Sequence, residues 1–215
     1  WRQLLEAIDS NFAQSEVLRQ KLLRGAPKFG NDDDEVDYLA REVQRRYCRE
    51  VAQYRTVTGG RFQPGLYPAT AHVPMGMAVG ATPDGRKAGT PLNDGVSPVA
   101  GRDLKGPTAT MKSVAKLDHQ MVSNGTLLNI KFHPSSFKGE FGLQKFADLV
   151  RTYFKLGGMH VQFNVVSSET LREAQQRPED YRDLIVRVAG YSAFFVALEK
   201  PLQDELINRT EHGEH

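Results

Sequence analysis

The chain has 215 residues, 40% hydrophobic and 25% charged, with 19 glycines and 11 prolines, which suits a buried core and excludes disordered and fibrous classes. Lysine plus arginine number 28 against 26 for aspartate plus glutamate, spread along the chain, so nucleic acid is not the default partner. No apolar run approaches the roughly 18 residues of a membrane helix, and a single cysteine, Cys48, rules out an internal disulfide framework or a cysteine-rich metal site.

The chain should begin helical. Leu4, Leu5, Ile8 and Phe12 fall at helix spacing, and Leu18 and Leu22 resume it before Gly25 and Pro27 stop it. Val36, Leu39, Ala40, Val43, Tyr47, Val51 and Tyr54 then form one apolar stripe of a longer helix. The acidic run Asp32, Asp33, Asp34, Glu35 before it suits a helix cap better than a metal site. Cys48 sits near Arg45, Arg46 and Arg49, which could lower its pKa, but a thiol on a helix flank is more often inert packing. Residues 59–107 read as a Gly/Pro-rich irregular and short-strand segment, with a tight turn at Pro83-Asp84-Gly85. Two phosphate-loop near-misses lie here. Gly80 and Gly85 lead into Arg86-Lys87 rather than Lys-Ser/Thr, and Gly106 is followed by Pro107, which lacks the needed N–H.

Beyond Pro107 the pattern becomes regular. A helix near 108–118 precedes the apolar run 126–132, and a second helix ends at Gly157-Gly158. Val161, Phe163 and Val165 then alternate with His160, Gln162 and Asn164, a strand with one apolar face. A helix near 169–176, a third apolar run over 184–188 and a helix opening at Pro201 complete the order, which predicts parallel β/α packing. The histidines at 72, 119, 133, 160, 212 and 215 show no metal-ligand spacing, and the last two are expected at a fraying terminus. No Gly-x-Ser-x-Gly elbow marks a hydrolase. The polar residues of the 160–164 strand either line a cavity or form the wet face of a sheet.

One stretch stands apart: Arg187-Val188-Ala189-Gly190-Tyr191-Ser192-Ala193-Phe194-Phe195, followed by Gln203-Asp204-Glu205 and Arg209-Thr210-Glu211-His212. On spacing alone Gly190 is a turn after a strand. The stretch nevertheless resembles the signature of the glycyl radical enzymes. Lys28-Phe29-Gly30-Asn31, Gly80-Ala81-Thr82-Pro83-Asp84-Gly85-Arg86, Asp94-Gly95-Val96-Ser97-Pro98 and Gly125-Thr126-Leu127-Leu128-Asn129 resemble the family in the same order. Ala189 and the Gln203-Asp204-Glu205 tail resemble its dehydratase-type branch, which includes glycerol dehydratase and choline trimethylamine-lyase.

The resemblance implies an α/β fold: the C-terminal part of a ten-stranded barrel, with helices of residues 1–58 outside it and a barrel portion over 108–215 carrying the glycine loop near 184–196. It implies that Gly190 stores a radical after an iron–sulfur, S-adenosylmethionine-dependent activating enzyme removes an α-hydrogen, with no tightly bound cofactor in the chain itself. Delocalisation over the flanking amides needs a planar α-carbon, which a Cβ would crowd, and a dry site, which the apolar Val188, Phe194, Phe195 and Val196 would supply. Arg187, Val188, Ala189, Tyr191 and Ser192 would form the activation loop. A salt bridge from Arg187 to Asp183 or Glu211 is the plainer alternative. Tyr67 is either a substrate contact or a turn residue. The family's thiyl cysteine lies in an upstream loop, a role not carried to Cys48.

The expected function is that of a radical lyase or dehydratase breaking a C–O or other C–X bond of a small polar substrate, with the 215-residue piece inactive alone. Formate C-acetyltransferase activity and a non-catalytic radical-glycine replacement subunit are the alternatives. Expected partners are the activating enzyme, the N-terminal remainder of the barrel and a second copy in a homodimer, with no nucleic acid and no membrane. Trp1 in place of Met, and the lack of a signal-peptide pattern, suggest a piece of a longer protein of the cytoplasm or a bacterial microcompartment.

Overall fold

The structure, a computed structural model, describes residues 1–213. Three helices open the chain: α1 (Arg2–Asp9), α2 (Glu16–Gly25) and α3 (Asp34–Val51). The acidic run does cap α3, because the Asp33 side chain accepts the Glu35 N–H at 3.1 Å. Asp32 and Asp34 of the run, with Asp37 of α3, each lie 2.7–2.8 Å from Lys116 Nζ. The apolar stripe of α3 is not what it buries against this chain. Leu39, Val43 and Tyr47 are exposed, whereas Asp37, Gln44 and Cys48 are buried.

Within the Gly/Pro-rich stretch lies a helix that the pattern does not announce, α4 (His72–Ala78). Its Pro74 falls in the first turn, where a missing N–H costs nothing. The turn at Pro83-Asp84-Gly85 forms, with Gly85 at φ +93°. Next come α5 (Gly106–Ala115), β1 (Asn129–Phe132), α6 (Gly139–Lys155), β2 (Gln162–Val165), α7 (Ser168–Gln176), β3 (Ile185–Arg187), β4 (Ser192–Phe194), α8 (Lys200–Asn208) and β5 (Glu211–His212). Gly157 closes α6 with φ +101°, as its position suggests.

β1 is the centre of a parallel sheet of order β2-β1-β5, with Asn129 opposite Gln162 and Lys131 opposite Asn164. The third apolar run departs from the parallel expectation. β3 pairs antiparallel with β4 in a separate hairpin, because the chain reverses at Gly190 instead of crossing over through a helix. His212, expected to fray, is a buried residue of β5 whose Nε2 lies 3.2 Å from Asp103, since pairing with β1 holds the strand in place. His215 lies outside the described residues.

Strand periodicity gives β1 two unlike faces. Leu128, Ile130 and Phe132 share one core with Met111 and Val114 of α5 and Tyr153 of α6. Leu127 joins the other core, with Leu171, Val186, Val188, Phe195 and Leu206. Asn129 and Lys131 lie on that same side, level with Gln162 and Asn164 of β2. Lys131 is 2% exposed, and burial pulls its pKa down to about 8. Its Nζ donates to Ser168 Oγ at 2.7 Å and to the Ile207 carbonyl at 2.8 Å, tying down the C-terminal end of α8. The sheet thus offers a polar face to the hairpin and to α8.

Candidate functional site

The hairpin is built so that its tip must be glycine. Val188 N–H donates to the Tyr191 carbonyl at 2.8 Å, leaving Ala189 and Gly190 at the reversal, with Gly190 at φ +88°. A Cβ there would meet only Leu127 Cδ1, at 3.6 Å, so backbone conformation rather than space excludes a side chain. Val188, Ala189 and Phe195 turn inward and are buried; Gly190, Tyr191, Ser192 and Phe194 are exposed on this chain.

Beneath the tip lies the polar face of β2. Asn164 brackets the Arg187 peptide, accepting its N–H at 2.7 Å and donating to its carbonyl at 2.6 Å. Gln162 Oε1 accepts from Arg187 Nε at 2.9 Å and from Gly190 N–H at 3.1 Å. Gln162 Nε2 donates to Asn129 Oδ1, and Asn129 Nδ2 donates to Asp94. Asp94 is held there by its glycine neighbour. A Cβ on Gly95 would stand 2.4 Å from the Leu127 carbonyl oxygen, so only glycine lets this segment lie flush on the chain entering β1.

Asp94 belongs to a buried charge cluster. Arg209 clasps Glu205 with Nε and Nη2 at 2.9 Å each and reaches Asp94 at 3.3 Å. His72, 2% exposed, places Nε2 at 3.5 Å from Glu205 and Nδ1 at 4.0 Å from Asp94. Burial pushes the Asp94 pKa up, outweighing Arg209 and His72. Burial pushes Glu205 the same way, but His72 and Arg209 prevail and hold it below the usual carboxylate range. The ligand atoms of His72, Asp94 and Glu205 lie within 4.8 Å of one another, a cation-like spacing, but the Arg209 guanidinium already bridges the two carboxylates. Asp94 and Asn129 also line a cleft of about 590 Å³ with Lys131, Arg209 and His212, to which no residue of the 184–196 loop contributes.

Comparison with known proteins places the chain in a family. A family model for the glycine radical matches residues 92–196, and one for pyruvate formate lyase-like proteins matches residues 1–76. The chain superposes on the glycerol-bound B12-independent glycerol dehydratase of Clostridium butyricum with a TM-score of 0.95 and 55% identity, covering 99% of this chain and 27% of that one. It belongs to the glycyl radical enzymes. Among curated relatives, the trans-4-hydroxy-L-proline dehydratase of Clostridioides difficile is 48% identical over 97% of this chain and 26% of its own length. The isethionate sulfite-lyase of Bilophila wadsworthia is 43% identical over 99% and 26%. The chain thus spans about a quarter of the length of these relatives. Its fold is that of a C-terminal part of the glycyl radical enzyme barrel. A glycine-radical match implies a radical generated after translation by an activating enzyme.

The residues singled out in the sequence fall unevenly around the loop. Arg187 makes neither expected salt bridge among the described residues; it bonds Gln162 and, through Nη1 at 3.3 Å, Ser192. Glu211 instead receives the Ser168 hydroxyl at 2.6 Å. Tyr67 is 43% exposed, on a segment whose neighbour Leu66 pairs with Gly125 and Leu127. Gln162, Asn129, Asp94, His72 and Arg209 were not anticipated as a connected set. The one available signal was the polar alternation on β2, which left the wet face as an equal reading. His119 is structural: its ring nitrogens bond the Val114 carbonyl at 2.9 Å and Thr126 at 3.2 Å.

Cys48 is 2% exposed, and burial, reinforced by Asp118, pushes its thiol pKa up. In the native protein at pH 8, iodoacetamide is expected to leave Cys48 unmodified and to label it once denaturant is added. Rapid native labelling would make the thiol reactive after all.

No helix of the described residues is long and apolar enough to cross a membrane.

Proposed function

We propose that the enzyme carrying this chain is a glycyl radical lyase of the dehydratase type, which breaks a C–O or other C–X bond of a small polar substrate. Gly190 is the radical residue in this reading. The observation that carries it is the glycine at the tip of the hairpin, open at φ +88°, with its N–H bonded to a buried side chain and the preceding Val188 and Ala189 sunk in the core. An iron–sulfur, S-adenosylmethionine-dependent activating enzyme removes the α-hydrogen, gripping Arg187 and its neighbours through Ser192. The exposed tip would be sealed by the N-terminal remainder of the barrel, which also supplies the thiyl cysteine; Cys48 is buried on the helix α3 and not in such a loop. Helices of residues 1–58 lie outside the barrel in this arrangement, Tyr67 touches substrate, and the enzyme is a homodimer of the cytoplasm or a microcompartment.

The dehydratase and lyase names of relatives at 43–55% identity favour this reading over formate C-acetyltransferase. The match of residues 1–76 to the lyase-like family favours an enzyme portion over a replacement subunit. The test is an anaerobic assay of the activated full-length enzyme against trans-4-hydroxyproline, glycerol, propanediol, choline, isethionate and pyruvate. Elimination from one of the first five supports the proposal. A full radical load with no such elimination, or formation of formate from pyruvate, overturns it.

A further inference from the structure

We propose that Gln162 is a positioning residue for the radical glycine: its side-chain oxygen holds the Gly190 N–H and so sets the orientation of the peptide that carries the unpaired electron. The inference rests on the assignment of the radical to Gly190.

Gln162 is 7% exposed, and a primary amide is costly to bury unless both of its ends are bonded. Both are. Its oxygen takes two donors, one before the tip (Arg187 Nε) and one on it (Gly190 N–H), so a single atom ties the rising strand to the reversal. Among the described residues this is the hydrogen bond that Gly190 makes with its own backbone.

The orientation of that amide is set two links away. Asp94, paired with Arg209, is an acceptor when ionised and so draws the NH₂ of Asn129. Asn129 is then left with its oxygen toward β2, which draws the NH₂ of Gln162. The Gln162 oxygen therefore faces Gly190. Delocalisation requires the two peptide planes flanking the α-carbon to become coplanar, a rotation away from φ +88°, and a fixed acceptor on the N–H anchors the amide about which that rotation takes place.

The experiment compares Gln162→Met, Gln162→Ala and Gln162→Glu in the full-length enzyme, using hydrogen exchange before activation and EPR after it. Losing one such bond is expected to speed exchange of the Gly190 amide by about tenfold in the Met variant, with the Leu206 amide of the adjoining core unchanged. The activated Met and Ala variants should show an altered α-proton splitting and a radical that decays several-fold faster. Glu keeps an acceptor oxygen for the Gly190 N–H but has no donor for Asn129 Oδ1, so its Gly190 amide should exchange more slowly than in the Met variant without reaching the wild-type rate. Equal Gly190 exchange and equal EPR in wild type and Met variant would overturn the inference. A wild type that exchanges as described but forms no radical would instead overturn the Gly190 assignment, and this role with it.

Discussion

Gly190→Ala in the full-length enzyme is expected to give no organic radical after anaerobic treatment with the activating enzyme, S-adenosylmethionine and a reductant, and to abolish turnover. Wild type so treated should show an EPR signal with a large α-proton splitting. The fold should survive, because an added methyl meets only Leu127 Cδ1, at an ordinary 3.6 Å. The cost is conformational: alanine at φ +88° is strained by about 1–2 kcal/mol, a loss of only about 1 °C in Tm for an enzyme about four times the length of this chain. Air should then cut activated wild type at Gly190 and leave the alanine variant whole. A variant that keeps radical and activity would reduce Gly190 to a turn residue.

Arg209→Met is expected to be the most destabilising single change around the site, by about 3–5 kcal/mol near neutral pH, read by denaturant or thermal unfolding of the full-length enzyme. The arginine is 9% exposed and its partners Asp94 and Glu205 are 5% and 8% exposed, so its removal leaves two carboxylates buried without a guanidinium. The sign of the pH dependence follows. Both carboxylates in the variant should have folded-state pKa values above their unfolded ones, as Asp94 already has in the wild type. Stability is then fully present below the unfolded carboxylate pKa, near 4, and is lost as pH rises through the raised folded values. The gap between variant and wild type should therefore narrow on acidification. A pH-independent loss under 1 kcal/mol would mean that the cluster is solvated and weakly coupled.

How far the sequence alone leads can be judged at particular residues. The helices with strong start and stop chemistry were legible, as in α6 with its Gly157 end and α8 with Pro201 in its first turn. The reversal at Gly190 was legible as a glycine turn after a strand. The helix α4 was not, since Pro74 and Gly76 both argue against a helix when the first-turn position of Pro74 is unknown. On α3 the periodicity was right and the inference from it reversed, and on β2 the polar face, left open between cavity and solvent, is buried. Gln162 and Asn164 are buried while Val165 is half exposed, and on α3 Asp37 and Gln44 are buried while Leu39 and Val43 are not. Hydrophobic pattern reports which face seeks a partner, but a buried polar face is legible only when its partners are known. Asn129, Asp94 and Arg209 come from three distant parts of the chain, and only folding brings them to Gln162.

The position of Arg209 and Glu205 also determines what a broken chain would be like. Scission at Gly190 would separate the 25 residues after it, which include β4, α8 and β5. That segment is not an appendage. It holds Phe195 and Leu206 of the core, the carbonyl that receives Lys131, and the Arg209 guanidinium that pairs with Asp94. The severed piece would stay seated by these contacts, so a clipped molecule would look whole on a native gel and separate into two bands only under denaturing conditions. Damage of this kind is silent to any inspection of shape, and a spare segment arriving from outside would have to evict its tightly held predecessor before it could restore function.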